Sequence, residues 1–185
     1  MTRAGPQGRF IAVVGPSGVG KDSVMDAYCA AHPTVLRTRR VITRSAEAVG
    51  EDSDAVSVAE FQAMAAAGEF ALHWQAHGLH YGIPTGVDAA LAEGRDVMAN
   101  LSRSVLPMLA ERFERSAILL ITAPEEVLAA RLAARGRETV EEQARRLKRA
   151  QFQIAEGLNP IEICNDGPLS QTIAQVDAAL QPERA

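Results

Sequence analysis

Gly15-Pro16-Ser17-Gly18-Val19-Gly20-Lys21-Asp22-Ser23 follows an apolar run and opens a segment with helical spacing. Gly15, Gly20 and Lys21 stand at the G-x-x-x-x-G-K spacing of a phosphate-binding loop, but Asp22 fills the slot that normally holds Ser or Thr. Glycines here let successive backbone N–H groups turn inward, and the next helix adds the positive end of its dipole to the same concavity. A polyphosphate fits such a cradle, with Lys21 as a compact charge between its outer phosphates. Asp22 replaces the hydroxyl that usually meets magnesium. A carboxylate is itself a hard oxygen ligand and Ser23 offers a hydroxyl one position on, so Asp22 and Ser23 are the expected metal ligands.

Outward from the loop, strand and helix signals alternate. Phe10 to Val14 is a short, wholly apolar run, as in a strand buried on both faces, and Lys21 to Ala31 repeats Val24, Met25, Tyr28 and Cys29 at helical spacing. Val35 to Thr43 reads as one strand, and Arg44 to Asp54 as a polar loop. Ser57 with Glu60 is a capping box for a helix that stops at Gly68. Phe70 to Ala76 and Leu79 to Ile83 flank His77-Gly78 as a hairpin, followed by a helix over Pro84 to Ala92. Strands are expected at Asp96–Leu101, Ala117–Thr122 and Ile161–Asn165. Helices are expected at Ser104–Phe113, Pro124–Arg135, Thr139–Glu156 and Leu169–Leu180. Arg9-Phe10 and the tail from Gln181 read as frayed ends. The alternation predicts an α/β fold: a parallel five-stranded sheet flanked by helices, with the loop at its carboxyl edge.

The chain has 185 residues and a net charge of −4, enough for one domain with a sizeable core and without the positive field that binds nucleic acid. Cys29 and Cys164 lie far apart without metal spacing and read as reduced core thiols. No apolar stretch of signal-peptide length follows the polar start, and no run approaches the roughly 20 residues of a membrane span. A cytoplasmic protein with a small-molecule substrate, as monomer or homodimer, is expected, with neither nucleic acid nor membrane as partner.

Arginines gather twice away from the loop. Arg37, Arg39, Arg40 and Arg44 lie within eight residues, and Arg131, Arg135, Arg137, Arg145, Arg146 and Arg149 within nineteen. Their planar forks suit phosphate oxygens. Arg145, Arg146 and Arg149 also fit a solvated helix face paired with Glu138, Glu141 and Glu142. His73, His77 and His80 stand at four- and three-residue intervals, but the hairpin supplies no acidic or thiolate ligand nearby for zinc.

The donor loop, Thr43-Arg44, Gly68-Glu69-Phe70, Tyr81-Gly82 and Arg131 to Arg137 follow one another as in the guanylate-kinase-like P-loop kinases, which the chain resembles over nearly its whole length. The resemblance implies ATP and Mg²⁺, a single domain over 1–185 with the donor loop at 15–23, an acceptor lobe over about 35–91, and a mobile lid over about 134–146. It departs from guanylate kinases in three places. His73 stands where a guanine-reading acid is expected, Glu47 replaces a second arginine, and Asn100 and Ser102 replace two aspartates. Losing a carboxylate that pairs with a base edge costs on the order of 10⁴-fold in discrimination, so GMP is a poor acceptor candidate.

Gly-Lys-Asp-Ser in the loop, Arg39 to Arg44, Gly50-Glu51-Asp52, Phe70 to Trp74 and Tyr81 to Pro84 resemble the ribose 1,5-bisphosphate phosphokinase branch of these enzymes. That resemblance implies ATP-dependent phosphorylation of ribose 1,5-bisphosphate to 5-phosphoribosyl 1-diphosphate, in phosphonate breakdown. Such an acceptor is already ionised, so positioning and cations rather than a general base should carry catalysis. The residues implied are Lys21, Arg44, Arg135 and Arg146 for catalysis and Arg40, Arg44, His73 and Tyr81 for the acceptor. Arg137 and Asn165 are implied beside the donor nucleotide, although Asn165-Asp166-Gly167 is equally well read as a structural turn. The alternatives are a nucleoside monophosphate kinase and a guanylate-kinase-like binding module without catalysis.

Overall fold

The computed structural model describes residues 7–44, 53–134, 154–155 and 157–181. β1 (Phe10–Val14) is the middle strand of a five-stranded sheet ordered β2-β7-β1-β8-β9. β2 is Leu36–Arg37, β7 Val97–Asn100, β8 Ser116–Thr122 and β9 Ile161–Cys164, and every pairing is parallel. All five residues of β1 are inaccessible to solvent because helices cover both faces. Phe10, Ala12 and Val14 join Val97, Ala99 and Phe113 on one face. Ile11 and Val13 join α1 (Lys21–Ala31) and α6 (Leu169–Leu180) through Val24, Met25 and Val176 on the other.

A second sheet is ordered β4-β3-β6-β5: β3 is Arg40–Ile42, β4 Ser53–Ala55, β5 Phe70–Ala76 and β6 Leu79–Pro84. The hairpin forms where expected, with His77 at φ 52° and Gly78 at φ 75° making a turn whose twist suits antiparallel strands. α2 (Val58–Ala66) begins with the full capping box, Ser57 Oγ accepting from the Glu60 N–H and the Glu60 carboxylate accepting from the Ser57 N–H. α3 is Gly86–Ala92; a 3₁₀ segment, Arg103–Met108, carries Pro107 into α4 (Leu109–Arg112); and α5 is Glu125–Ala134.

Four expectations are corrected. The single strand over Val35 to Thr43 is two strands in two sheets. Leu36 and Arg37 pair with Val97 and Met98, the Thr38 N–H makes a last bond to the Met98 carbonyl, and Arg40–Ile42 then crosses to β4 and β6. An extended run has one local signature whichever sheet edge receives it, so only the available edges divide it. The expected loop Arg44 to Asp54 ends in β4, which begins at Ser53 and whose polar residues hid it; Asp54 pairs with Arg39 at 3.1 Å. Pro84 ends β6 rather than starting α3. Arg9 and Phe10 are anchored rather than frayed. The Arg9 guanidinium grips Asp96 through two bonds (2.7 and 3.1 Å) and donates to the Leu180 carbonyl (2.7 Å), and Phe10 stacks on Phe113 with centroids 4.1 Å apart. Thr139–Glu156 lies almost wholly outside the described residues. Cys29 and Cys164 are free thiols and half-buried, and burial pushes the Cys29 thiol up, which suits an unreactive side chain.

Candidate active site

The loop from Gly15 to Gly20 joins the carboxyl end of β1 to the first turn of α1. Gly15 is required by contact, since a Cβ there would stand 2.4 Å from the Ile121 carbonyl of β8. Gly20 caps α1 at φ 95°, a left-handed conformation that glycine adopts without strain, and makes no side-chain cap. The first N–H groups of the helix are therefore not satisfied by a capping side chain and meet the loop's concavity. Lys21 Nζ donates to the Gly15 and Pro16 carbonyls at 3.0 and 3.1 Å, which lays the ammonium across the same concavity.

A cavity of about 330 Å³ opens beside the loop, lined by Gly18, Gly20, Ser23, Arg131, Asn165 and Leu169. Two of these hold the loop in shape. The Asn165 amide donates to the Val19 carbonyl at 2.8 Å and is oriented by the Thr172 hydroxyl at 2.8 Å, while Arg131 Nη1 reaches the same carbonyl at 3.2 Å. Asn165 is 5 % exposed, so this is a buried, satisfied network, and it makes Asn165 a support of the loop as well as a wall of the cavity. Arg131, one of the clustered arginines, supports the donor loop, a role that its sequence does not show. Its place is beside the buried Leu128 and Leu132 on the helix after β8, at the same carboxyl edge as the loop.

These residues fit a nucleoside polyphosphate: N–H donors at a helix start, a lysine, and an adjoining cavity. For a divalent cation, Ser23 borders the cavity, while Asp22 Oδ1 accepts from Arg37 Nη2 at 3.2 Å. Arg37 on β2 also bonds Asp26, so one guanidinium ties two carboxylates of α1 to the strand that leads into β3.

The second sheet gathers the acceptor-side residues on the face turned to the parallel sheet. Arg40 is buried, with its guanidinium 5.3 Å from the Tyr81 ring centroid, and Arg44 Nη2 donates to Ser53 Oγ at 2.8 Å, the residue paired with Arg40. Arg40 and Tyr81 thus come together, while Arg44 meets the Ser53 beside Arg40 and borders a second cavity with Ser57 and Glu60 at the start of α2. His73 does not join them. It pairs with Gly82 while its neighbour Trp74 pairs with Tyr81, so the pleat turns His73 to the opposite face, where its ring lies edge-on to Phe61 of α2. His73, expected among the acceptor contacts, thus lies apart from Arg40 and Tyr81. Arg135, Arg137 and Arg146, and the lid beyond Ala134, lie outside the described residues.

Fold and site together define a P-loop kinase of the guanylate-kinase-like type. Residues 10–155 match the family model described as an AAA domain. Guanylate kinase from Anaplasma phagocytophilum superposes with a TM-score of 0.59 at 17 % identity, over 96 % of this chain and 86 % of that one, a likeness of fold. Ribose 1,5-bisphosphate phosphokinase PhnN from Ruegeria sp. is 51 % identical, covering 97 % of this chain and 95 % of the relative. Its counterpart from Agrobacterium fabrum is 46 % identical over 90 % and 94 %. The chain belongs to the ribose 1,5-bisphosphate phosphokinase family. Among the described residues, no helix is long and apolar enough to cross a membrane.

Proposed function

We propose that this protein transfers the γ-phosphoryl group of ATP to the C1 phosphate of ribose 1,5-bisphosphate, giving 5-phospho-α-D-ribose 1-diphosphate and ADP. The observation that carries the reading is the pairing of the donor loop with a second sheet bearing Arg40 and Tyr81, with Arg44 beside it, in a chain 51 % identical to a relative of that name. The acceptor oxygen is anionic, so the obstacle is repulsion between it and the donor phosphate rather than removal of a proton. Lys21 and the N–H groups at the start of α1 hold the donor phosphates, and Arg44 and Tyr81 hold the acceptor. Arg135 and Arg146 reach the transferring group, and Arg137 steadies the donor. The organisation is one domain with donor loop, acceptor lobe and a lid over about 134–146. The enzyme acts in the cytoplasm, where charged sugar phosphates are retained, as a monomer or homodimer.

Magnesium, when bound, would supply positive charge against the phosphates. The Ser23 hydroxyl and the Asp22 carboxylate would hold it, Asp22 being also the acceptor of a bond from Arg37. Asp22→Ser should shift the Mg²⁺ activation curve to higher concentration by about tenfold, one charge-assisted contact's worth. An unaltered curve with a lowered melting temperature would mean that Asp22 serves only Arg37.

The activity is tested by ADP release with ATP and Mg²⁺ against ribose 1,5-bisphosphate, GMP, AMP and gluconate. Turnover with the bisphosphate and little with the others is expected. Turnover with GMP alone would replace the proposal with a nucleoside monophosphate kinase, and none with any would favour a binding module.

A further inference from the structure

The Asn165 side chain lies between the Val19 carbonyl and the Thr172 hydroxyl. Its own backbone is fixed by the sheet, because its N–H donates to the Thr122 carbonyl at 2.7 Å, and a Cβ on Gly20 would stand 2.8 Å from its Nδ2. The Val19 carbonyl can only accept, so it takes an Nδ2–H, and the amide oxygen is left to accept from Thr172 Oγ1. Thr172 stands in the first turn of α6, is 1 % exposed, and is not among the residues that line the cavity beside the loop.

The bond at Val19 fixes more than one atom. In a planar trans peptide the C=O and the following N–H point in opposite directions, so holding the Val19 carbonyl toward Asn165 and Arg131 turns the Gly20 N–H the other way. A half-turn of that peptide unit would change ψ of Val19 and φ of Gly20, and glycine accepts either sign of φ. Backbone sterics at Gly20 therefore leave the flip open, and the side-chain bonds close it. Among the described residues, the Gly20 N–H donates to no backbone carbonyl.

We propose that Thr172 is a positioning residue for the donor phosphates: acting through Asn165, it locks the Val19–Gly20 peptide unit so that the Gly20 N–H stays turned to the bound polyphosphate. The inference rests on the reading of Gly15 to Ser23 as the donor loop and not on the identity of the acceptor. Without the hydroxyl, the buried Asn165 oxygen loses its donor and nothing holds the amide on the Val19 carbonyl. Arg131, at the longer distance of 3.2 Å, is then the remaining hold on the peptide.

The test compares full-length wild type, Thr172→Val and Thr172→Ser in calorimetric binding of ADP and in steady-state turnover. In Thr172→Val, which keeps the shape and removes the hydroxyl, Kd for ADP and KM for ATP should rise about tenfold, the scale of one hydrogen bond to a charged group, with the acceptor KM unmoved. Thr172→Ser keeps the hydroxyl and should bind ADP as the wild type does. Equal weakening in both variants, or a Thr172→Val protein that loses melting temperature and no affinity, overturns the proposal. If Thr172→Val does not fold, the amide resonance of Gly20 in the wild type decides: a downfield move on adding ADP supports the proposal, and an unmoved resonance overturns it. A wild type that binds ADP but turns over no ribose 1,5-bisphosphate defeats the proposed function alone, and the ADP measurements still decide the role of Thr172. A wild type that binds no ADP overturns the donor loop and this inference with it.

Discussion

Lys21→Ala is expected to lower kcat about 10³-fold while leaving the fold intact. The ammonium lies at 3.0 and 3.1 Å from two loop carbonyls, and under the proposed function it meets the charge that grows on the transferring phosphoryl group. Removing one preorganised donor from such a site costs about 10²–10³-fold in kcat, and a full positive charge lies at the upper end. Lys21 is the first residue of α1 and half-buried, and its substitution removes none of the packing carried by Val24 and Met25. The melting temperature should therefore stay within a few degrees. Steady-state ADP release and thermal denaturation measured side by side check both parts. A kcat within tenfold of wild type would remove Lys21 from the donor site. Lys21→Arg should not restore activity, because a planar fork cannot take the place of a compact ammonium against the same two carbonyls.

Arg44→Ala is expected to raise the acceptor KM about 100-fold and to leave KM for ATP unchanged. Arg44 reaches Ser53, the residue paired with Arg40, at 2.8 Å, and it is less buried than Arg40. A charged hydrogen bond contributes about 1.5–3 kcal/mol, and a bidentate arginine–phosphate contact stands at the upper part of that range, or about 100-fold. Arg44→Lys keeps the charge and loses the fork, so it should recover only part of the affinity. The split between the two KM values is the readout, since general damage to the lobe would also disturb stability. Equal changes in both would place Arg44 outside the acceptor site.

Elements written in local patterns were legible in the chain. The buried run Phe10 to Val14, the helix from Lys21 to Ala31 and the helix from Leu169 to Leu180 occur at the residues their periodicity names. Ser57 with Glu60 and His77-Gly78 mark a helix start and a turn because caps and turns are satisfied by residues close in sequence. The donor loop was legible for the same reason: its glycines, lysine and helix start lie within nine consecutive residues.

Long-range partnership was decided only in the folded chain. That Arg37 stays in the parallel sheet while Arg40 crosses to the other depends on which strand edges are open, and a run of extended residues carries no mark of its future neighbours. Asp22, expected from the loop alone as a metal ligand, has Arg37, fifteen residues on, against it only in the folded chain. Arg131 and Asn165 converge on the Val19 carbonyl from 112 and 146 residues away, and Trp74 meets Ser102 across 28. The sequence by itself determined the strand–loop–helix that cradles phosphate, because those bonds close within one turn of chain. Which side chains hold the loop in shape and which face of the hairpin packs on the core were decided by the tertiary structure, through strand register and buried hydrogen bonds.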